Sequence, residues 1–244
     1  MALSLVVIAK NEADRIAACL ASVAFADELL VLDSGSTDGT PEVAEAAGAR
    51  VIRTDWPGHV AQKNRALAHA RGDWALSLDA DERLSPDAQA EVRAAVADPG
   101  DAAGFSFPRC SHWLGRPIRH GRWYPDRKLR LVRRGRARWG GLDPHDLLAA
   151  DGPVTRLSGD ILHFPYRDLG EHLSTIDRYS RISADGMRAR GQRAHLWDVA
   201  LRPPAHLVDA LVLRRGLLDG PRGVAIAGLG AAHTLLKWGR LYAG

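Results

Sequence analysis

Apolar positions in the first hundred residues fall in short unbroken runs. Leu3 to Ala9 is apolar except for Ser4, and Leu29 to Leu32 and Trp74 to Leu78 repeat the pattern. Arg50 to Thr54 is a more polar, β-branched version. Runs of this kind read as strands buried on both faces. Between them the apolar period lengthens to that of a helix, as in Ile16, Leu20 and Val23. Start and stop signals agree. Asn11 with Asp14 resembles a capping box, Thr40 is a good N-cap, Pro41 a good first helical residue, and Gly48 a good stop. A third helix is expected from about Val60 to Arg71, ended by Gly72.

Strand–helix alternation with short connections predicts an α/β fold, a mostly parallel central sheet flanked by helices. Ligands of such sheets collect at the carboxyl ends of the strands. Lys10-Asn11-Glu12, Asp33 to Asp38 and Asp79-Ala80-Asp81-Glu82 all stand at those ends. Segments distant in sequence therefore converge on one crevice. Asp79 and Asp81 are two residues apart, and carboxylates that close repel. A divalent cation removes the repulsion, and Mg²⁺ typically joins one or two carboxylates to a substrate's phosphates.

These segments carry a resemblance. Ala9-Lys10-Asn11-Glu12, Asp33-Ser34-Gly35-Ser36-Thr37-Asp38, Lys63-Asn64 and Asp79-Ala80-Asp81-Glu82 resemble the nucleotide-sugar-binding half of family 2 glycosyltransferases with the GT-A fold. Trp123-Tyr124-Pro125-Asp126, Lys128-Leu129-Arg130-Leu131, Pro144-His145-Asp146 and Leu235-Leu236-Lys237-Trp238 are similar to the bacterial lipopolysaccharide-core β-1,4-glucosyltransferases. The resemblance implies a nucleotide-sugar half over residues 1–100, an acceptor-binding and catalytic half over 101–168, and a helical extension over 169–244. It implies an inverting, metal-dependent transfer of one hexose, glucose from UDP-glucose, to an anionic lipopolysaccharide inner-core acceptor. Ala9, Asn11, Glu12, Asp33, Ser36, Lys63, Asp79 and Ala80 would contact the nucleotide sugar. Asp81 with Asp79 would hold Mg²⁺ or Mn²⁺. Trp123, Tyr124, Arg130 and His145 would meet the acceptor. Transfer to a polyprenyl phosphate, and a non-catalytic nucleotide-sugar or lipid-binding protein, stay open as alternatives.

Inversion needs a general base for the acceptor hydroxyl. Asp146 is the candidate, at the place where the similar enzymes have a Glu after the His, and Asp143 is its rival. His163 is expected as a hydrogen-bonding histidine, in the core or near the metal or pyrophosphate.

Charge adds one feature. From Arg109 to Arg138 there are eleven Lys or Arg residues against Asp126 alone, with Trp113, Trp123, Tyr124 and Trp139 interleaved. Such a stretch suits nucleic acid or an anionic glycolipid. No nucleic-acid motif accompanies it, so the glycolipid is preferred. Cys19 and Cys110 show no metal spacing and no disulfide framework, which fits a reducing, cytoplasmic compartment. No signal peptide is visible.

The last third reads as helical. Leu173, Ile176, Tyr179, Ile182 and Met187 line one face of a helix from about Leu169 to Arg190, and Pro203-Pro204 is expected to break the chain. The apolar segment Gly223 to Leu236 is too short to span a membrane and ends in Lys237, Trp238 and Arg240. It predicts an interfacial helix on the inner face of the cytoplasmic membrane, or a segment packed in the protein or across a homodimer.

Overall fold

The structure, a computed structural model, describes residues 1–142 and 145–244. It divides into two units, one of residues 1–109 with 126–163 and one of residues 110–125 with 164–244. Residues 110–125 thus group with the C-terminal helices.

In the first unit β1 (Leu3–Ala9), α1 (Ile16–Ala21), β2 (Glu28–Asp33), α2 (Thr40–Ala46), β3 (Arg50–Arg53), α3 (His59–His69) and β4 (Trp74–Asp79) alternate. They lie in the order β3-β2-β1-β4, all parallel. β1 pairs on both edges and is covered on both faces, Leu3, Leu5, Val7 and Ala9 entering one apolar cluster and Val6 and Ile8 another, which is why it is apolar at every position but Ser4. Its one polar side chain, Ser4, donates to Glu28 and accepts from the Gly72 amide. After β4 come β5 (Glu82–Leu84), α4 (Pro86–Ala97), β6 (Gly104–Trp113), β7 (Arg116–Pro117) and β8 (Asp126–Arg133). Then follow β9 (Ala137–Leu142), β10 (His145–Ala150), β11 (Val154–Arg156) and β12 (Ile161–His163). The main sheet continues β4-β8-β6-β12-β5, and its β4–β8 and β8–β6 pairs are antiparallel. The parallel half β3-β2-β1-β4 is thus followed by antiparallel pairs, and β11 adds one parallel pair with β6. β9 and β10 pair separately, antiparallel. Leu5, Leu20, Leu76, Leu78, Phe107 and Leu131 are buried in its core.

Two local expectations are corrected. Asn11 does not cap a helix: α1 begins only at Ile16, with Arg15 before it. Asn11 takes a left-handed backbone, φ 59°, which asparagine tolerates better than most residues. Thr40 is already helical behind the N-cap Gly39, and Asp38, one residue before that cap, accepts from the Thr40 amide at 3.1 Å and from its hydroxyl.

The second unit holds the end of β6, β7, α5 (Leu169–Ala189), α6 (Leu196–Val208), a π-helical turn (Asp209–Leu213), a 3₁₀ turn (Gly216–Asp219) and α7 (Gly220–Ala243). Asp168 caps α5 by accepting from the Glu171 amide at 2.8 Å. Pro203 and Pro204 do not break the chain but lie inside α6. They remove the helical donors of the Val199 and Ala200 carbonyls, and Ala200 is exposed, so water reaches that position.

α7 is longer than its apolar segment and is part of the unit's interior. Gly223, Ile226, Ala227, Ala231 and Leu241 are buried. A Cβ on Gly223 would collide with the Gly216 carbonyl, and one on Gly230 with the His206 ring. The three side chains expected at lipid headgroups are spent inside the unit. Arg240 bonds Asp177 and Ser180 of α5, Trp238 lies 4.0 Å beneath the Arg202 guanidinium, and burial beside Arg202 and Arg122 lowers the Lys237 ammonium. Among the described residues no helix is long and apolar enough to cross a membrane.

Candidate active site

The loops after β1 and β2 are tied to each other by side chain–backbone hydrogen bonds. The Asn11 amide donates to Ser36 Oγ at 2.9 Å, and Asn11 Oδ1 accepts from the Thr37 amide at 2.9 Å. The Glu12 amide donates to Thr40 at 2.8 Å, and that of Ala13 to Asp38 at 3.1 Å. Asp33 ends β2 and is buried. Its Oδ2 accepts from the Gly35 and Ser36 amides, both at 3.1 Å, while Oδ1 is buried with no donor among the described residues.

Asp79, at the end of β4, meets two cations. Lys63 Nζ stands 2.9 Å from Oδ1 and Arg130 Nη2 2.9 Å from Oδ2. Burial alone would raise this carboxyl; the Lys63 and Arg130 charges outweigh burial and hold it well below the usual carboxylate range. Lys63 also reaches Asp146 Oδ2 at 2.8 Å, so one ammonium bridges the strand-end carboxylate and the candidate base. α3 supplies Lys63 and fixes β9 beside it: Asn64 exchanges two hydrogen bonds with the Trp139 backbone, at 2.9 and 3.0 Å. The Lys63 ammonium lies 4.4 Å from the centre of the buried Trp139 ring.

Glu82 is a hub that sequence reasoning left without a role. It is fully buried, accepts from the Asp79 amide at 3.1 Å, and pairs with Arg130 at 2.9 Å and Arg109 at 3.2 Å. Arg109 continues to Asp126 at 2.6 Å. Arg130, expected among the acceptor contacts, is 4% exposed, and Glu82 and Asp79 raise its basicity against the effect of burial. It organises carboxylates and does not face a solvent-borne acceptor. The basic stretch is thus partly internal, and its Trp113 and Trp139 are buried as well.

Asp81 lies apart from this bridge, 3.4 Å from His163 Nε2 and 3.9 Å from Arg15 Nη1. No group of three or more metal-ligating side chains forms among the described residues. Asp81 and His163 nonetheless fit a Mg²⁺ or Mn²⁺ ion that takes its other ligands from a diphosphate and water. Asp79, expected as the second ligand, does not fit while Lys63 and Arg130 occupy both its oxygens. Asp143, Pro144 and the side chain of His145 lie outside the described residues.

Trp123 and Tyr124 belong to the second unit. There Trp123, Tyr166, His172, His206, Ile226 and His233 contribute to the lining of a cavity of about 390 Å³. Burial lowers all three imidazoles, with the Arg122 charge helping at His206 and the Lys237 charge at His233.

Residues 4–147 match the family described as Glycosyl transferase family 2. Over 248 aligned residues the chain is 29% identical to the lipopolysaccharide core biosynthesis glycosyltransferase LpsC of Rhizobium meliloti, covering 98% of this chain and 92% of that one. An uncharacterized glycosyltransferase of Rickettsia bellii is 46% identical over 91 residues, covering 37% of this chain and 31% of that one. The fold is that of S. aureus TarS 1-349, solved with UDP-GlcNAc, at a TM-score of 0.54 and 16% identity, over 75% of this chain and 65% of that one. With the alternating first half, the sheet that turns antiparallel after β4 and the helical C-terminal stretch, this is the GT-A architecture. The chain is a glycosyltransferase and belongs to glycosyl transferase family 2.

Proposed function

We propose that the enzyme is an inverting, divalent-cation-dependent transferase. It adds one glucose from UDP-glucose to a lipopolysaccharide inner-core acceptor at the cytoplasmic membrane face. The observation that carries the catalytic part is the Lys63 bridge, which joins Asp146 to Asp79, the carboxylate that ends β4. The near full-length likeness to LpsC supports the acceptor class.

In this reading residues 1–100 hold the donor and 101–168 supply the base. The buried Asp33 Oδ1 accepts from the donor's uracil or ribose, which gives that orphaned oxygen a partner. Asp81 and His163 would hold the cation, which when bound would supply charge neutralisation for the leaving diphosphate. Lys63 fixes the Asp146 carboxylate. The acceptor oxygen then attacks the anomeric carbon from the face opposite the diphosphate. Its proton passes to Asp146, the bond from the anomeric carbon to the β-phosphate oxygen breaks, and UDP leaves with that electron pair.

The test is transfer from UDP-glucose, with Mn²⁺ and with chelator, to core oligosaccharide from a strain lacking the enzyme. A product one hexose heavier, formed only with the cation, is expected. Cation-independent transfer would remove the metal from the mechanism, and transfer from UDP-GlcNAc alone would change the sugar.

A further inference from the structure

The helical unit turns an apolar stripe to solvent. On α6 and the turns after it Trp197, Leu201, Val208, Val212, Leu213 and Leu218 are 54–72% exposed. Trp197, Leu201, Val208 and Val212 are spaced by four and seven residues, which puts them on one side of the helix. The other side carries Asp198 and Ala210, which are buried, and His206, which is half-buried. An aqueous helix ordinarily presents the reverse. Contiguous exposed apolar surface rimmed by polar residues marks an interaction site.

The charge around the stripe identifies the partner. Residues 190–244 contain eight Lys or Arg and three Asp. Each Asp is already engaged: Asp198 with Arg202 at 2.6 Å, Asp209 with Arg122 and Arg214, and Asp219 with His120 at 3.0 Å. Arg193, just before α6, Arg215, between the two turns, and Arg222, in the first turn of α7, are exposed and have no ion pair among the described residues. Leucines and a tryptophan are flanked in the chain by unneutralised guanidinium groups.

We propose that this face docks on an anionic lipid bilayer. The apolar stripe enters the acyl boundary, Trp197 lies at the interface, and Arg193, Arg215 and Arg222 meet headgroup phosphates. A second copy of the chain suits the surface less well, because a twofold contact would set the same cations against each other. The inference adds a surface to the glycolipid reading above and rests on that reading only for its purpose. Its test uses neither donor nor acceptor, so either can fail alone.

Full-length protein is sedimented with vesicles of phosphatidylglycerol and phosphatidylethanolamine, and with phosphatidylcholine alone. Binding to the anionic vesicles only, released by added salt, is expected. Each guanidinium near such a surface is worth about fivefold in partition, so Arg193→Ala/Arg215→Ala/Arg222→Ala should bind roughly a hundredfold more weakly. Trp197→Ser/Leu201→Ser should abolish binding and leave circular dichroism and UDP affinity unchanged. Brominated lipid should quench tryptophan fluorescence in the wild type and much less in Trp197→Phe, which keeps binding. The proposal is overturned by wild type that stays in the supernatant with anionic vesicles, or by binding that survives both patch variants. It is equally overturned if Trp197→Ser/Leu201→Ser turns a dimer into a monomer and no vesicle is bound.

Discussion

Lys63→Met removes the ammonium that joins Asp79 to Asp146 and keeps much of the side-chain volume. Taking one partner from a buried ion pair costs ~3–5 kcal/mol, because the other charge is left without compensation. Here the cost is reduced at both ends. Asp79 keeps Arg130 at 2.9 Å, and the Asp146 side chain is 13% exposed, so water reaches its edge. We expect a loss of ~2–3 kcal/mol at neutral pH, or roughly 4–12 °C in Tm for a chain of this size. The pH dependence has a definite sign. The Asp79 carboxyl is depressed in the folded protein, so the stability it contributes is complete above the unfolded-state value and is lost as pH falls through the folded one. Removing Lys63 takes away part of that contribution. The gap between wild type and variant should be widest near pH 7 and narrow below about pH 4, where unfolded aspartate protonates. Scanning calorimetry at several pH values measures it, with Lys63→Arg as the variant that keeps the charge. A variant melting within 1 °C of wild type at pH 7, or a deficit constant into acid, would refute the electrostatic account of the bridge.

Three further substitutions address the donor and the base. Asp81→Ala should abolish cation-dependent UDP binding and leave the fold intact; calorimetric titration of UDP with Mn²⁺ checks it, and unchanged affinity would take Asp81 out of the metal site. Asp33→Ala should weaken UDP binding by ~1.5–3 kcal/mol, about 10- to 150-fold, and keep the cation requirement; a normal donor KM would make Asp33 a turn acid only. Asp146→Asn should bind UDP-glucose normally and lose transfer by a factor on the order of 10² or more in kcat, since only the transition state needs the carboxylate. Normal transfer by Asp146→Asn together with a dead Asp143→Asn would move the base to Asp143.

The strands β1 to β4 and their loops were legible because unbroken apolar runs and short connections leave few other packings. The same logic brought Asn11, Asp33 and Asp79 to one edge of the sheet. What sequence could not supply was how the charges pair. Arg109, Arg130 and Glu82 look like surface residues by composition, and only the antiparallel return of β8 beside β4 brings Arg130 onto Asp79 and Glu82. The sequence points to α7 as the interfacial helix because its apolar segment ends in Lys237, Trp238 and Arg240. Tertiary packing engages those three side chains and buries Ile226, Ala227 and Ala231 of α7, while α6, crossed by two prolines, exposes Trp197, Leu201 and Val208. Local propensity favours a break at Pro203-Pro204, yet both prolines lie inside α6, where Ala200 is open to water that can take the place of a lost donor.

The cross-links between the first two strand-end loops bear on how a ligand arrives. Ordering one backbone residue costs ~1–2 kcal/mol of conformational entropy, and a flexible loop that closes on a ligand subtracts that from its affinity. The amides of Asn11, Glu12, Ala13 and Thr37 are already committed to side chains of the facing loop. In the proposed function a nucleotide would settle there on backbone that is already assembled. Its binding should therefore carry a small entropy penalty at this edge, and association should be governed by encounter instead of by a slow rearrangement of these loops.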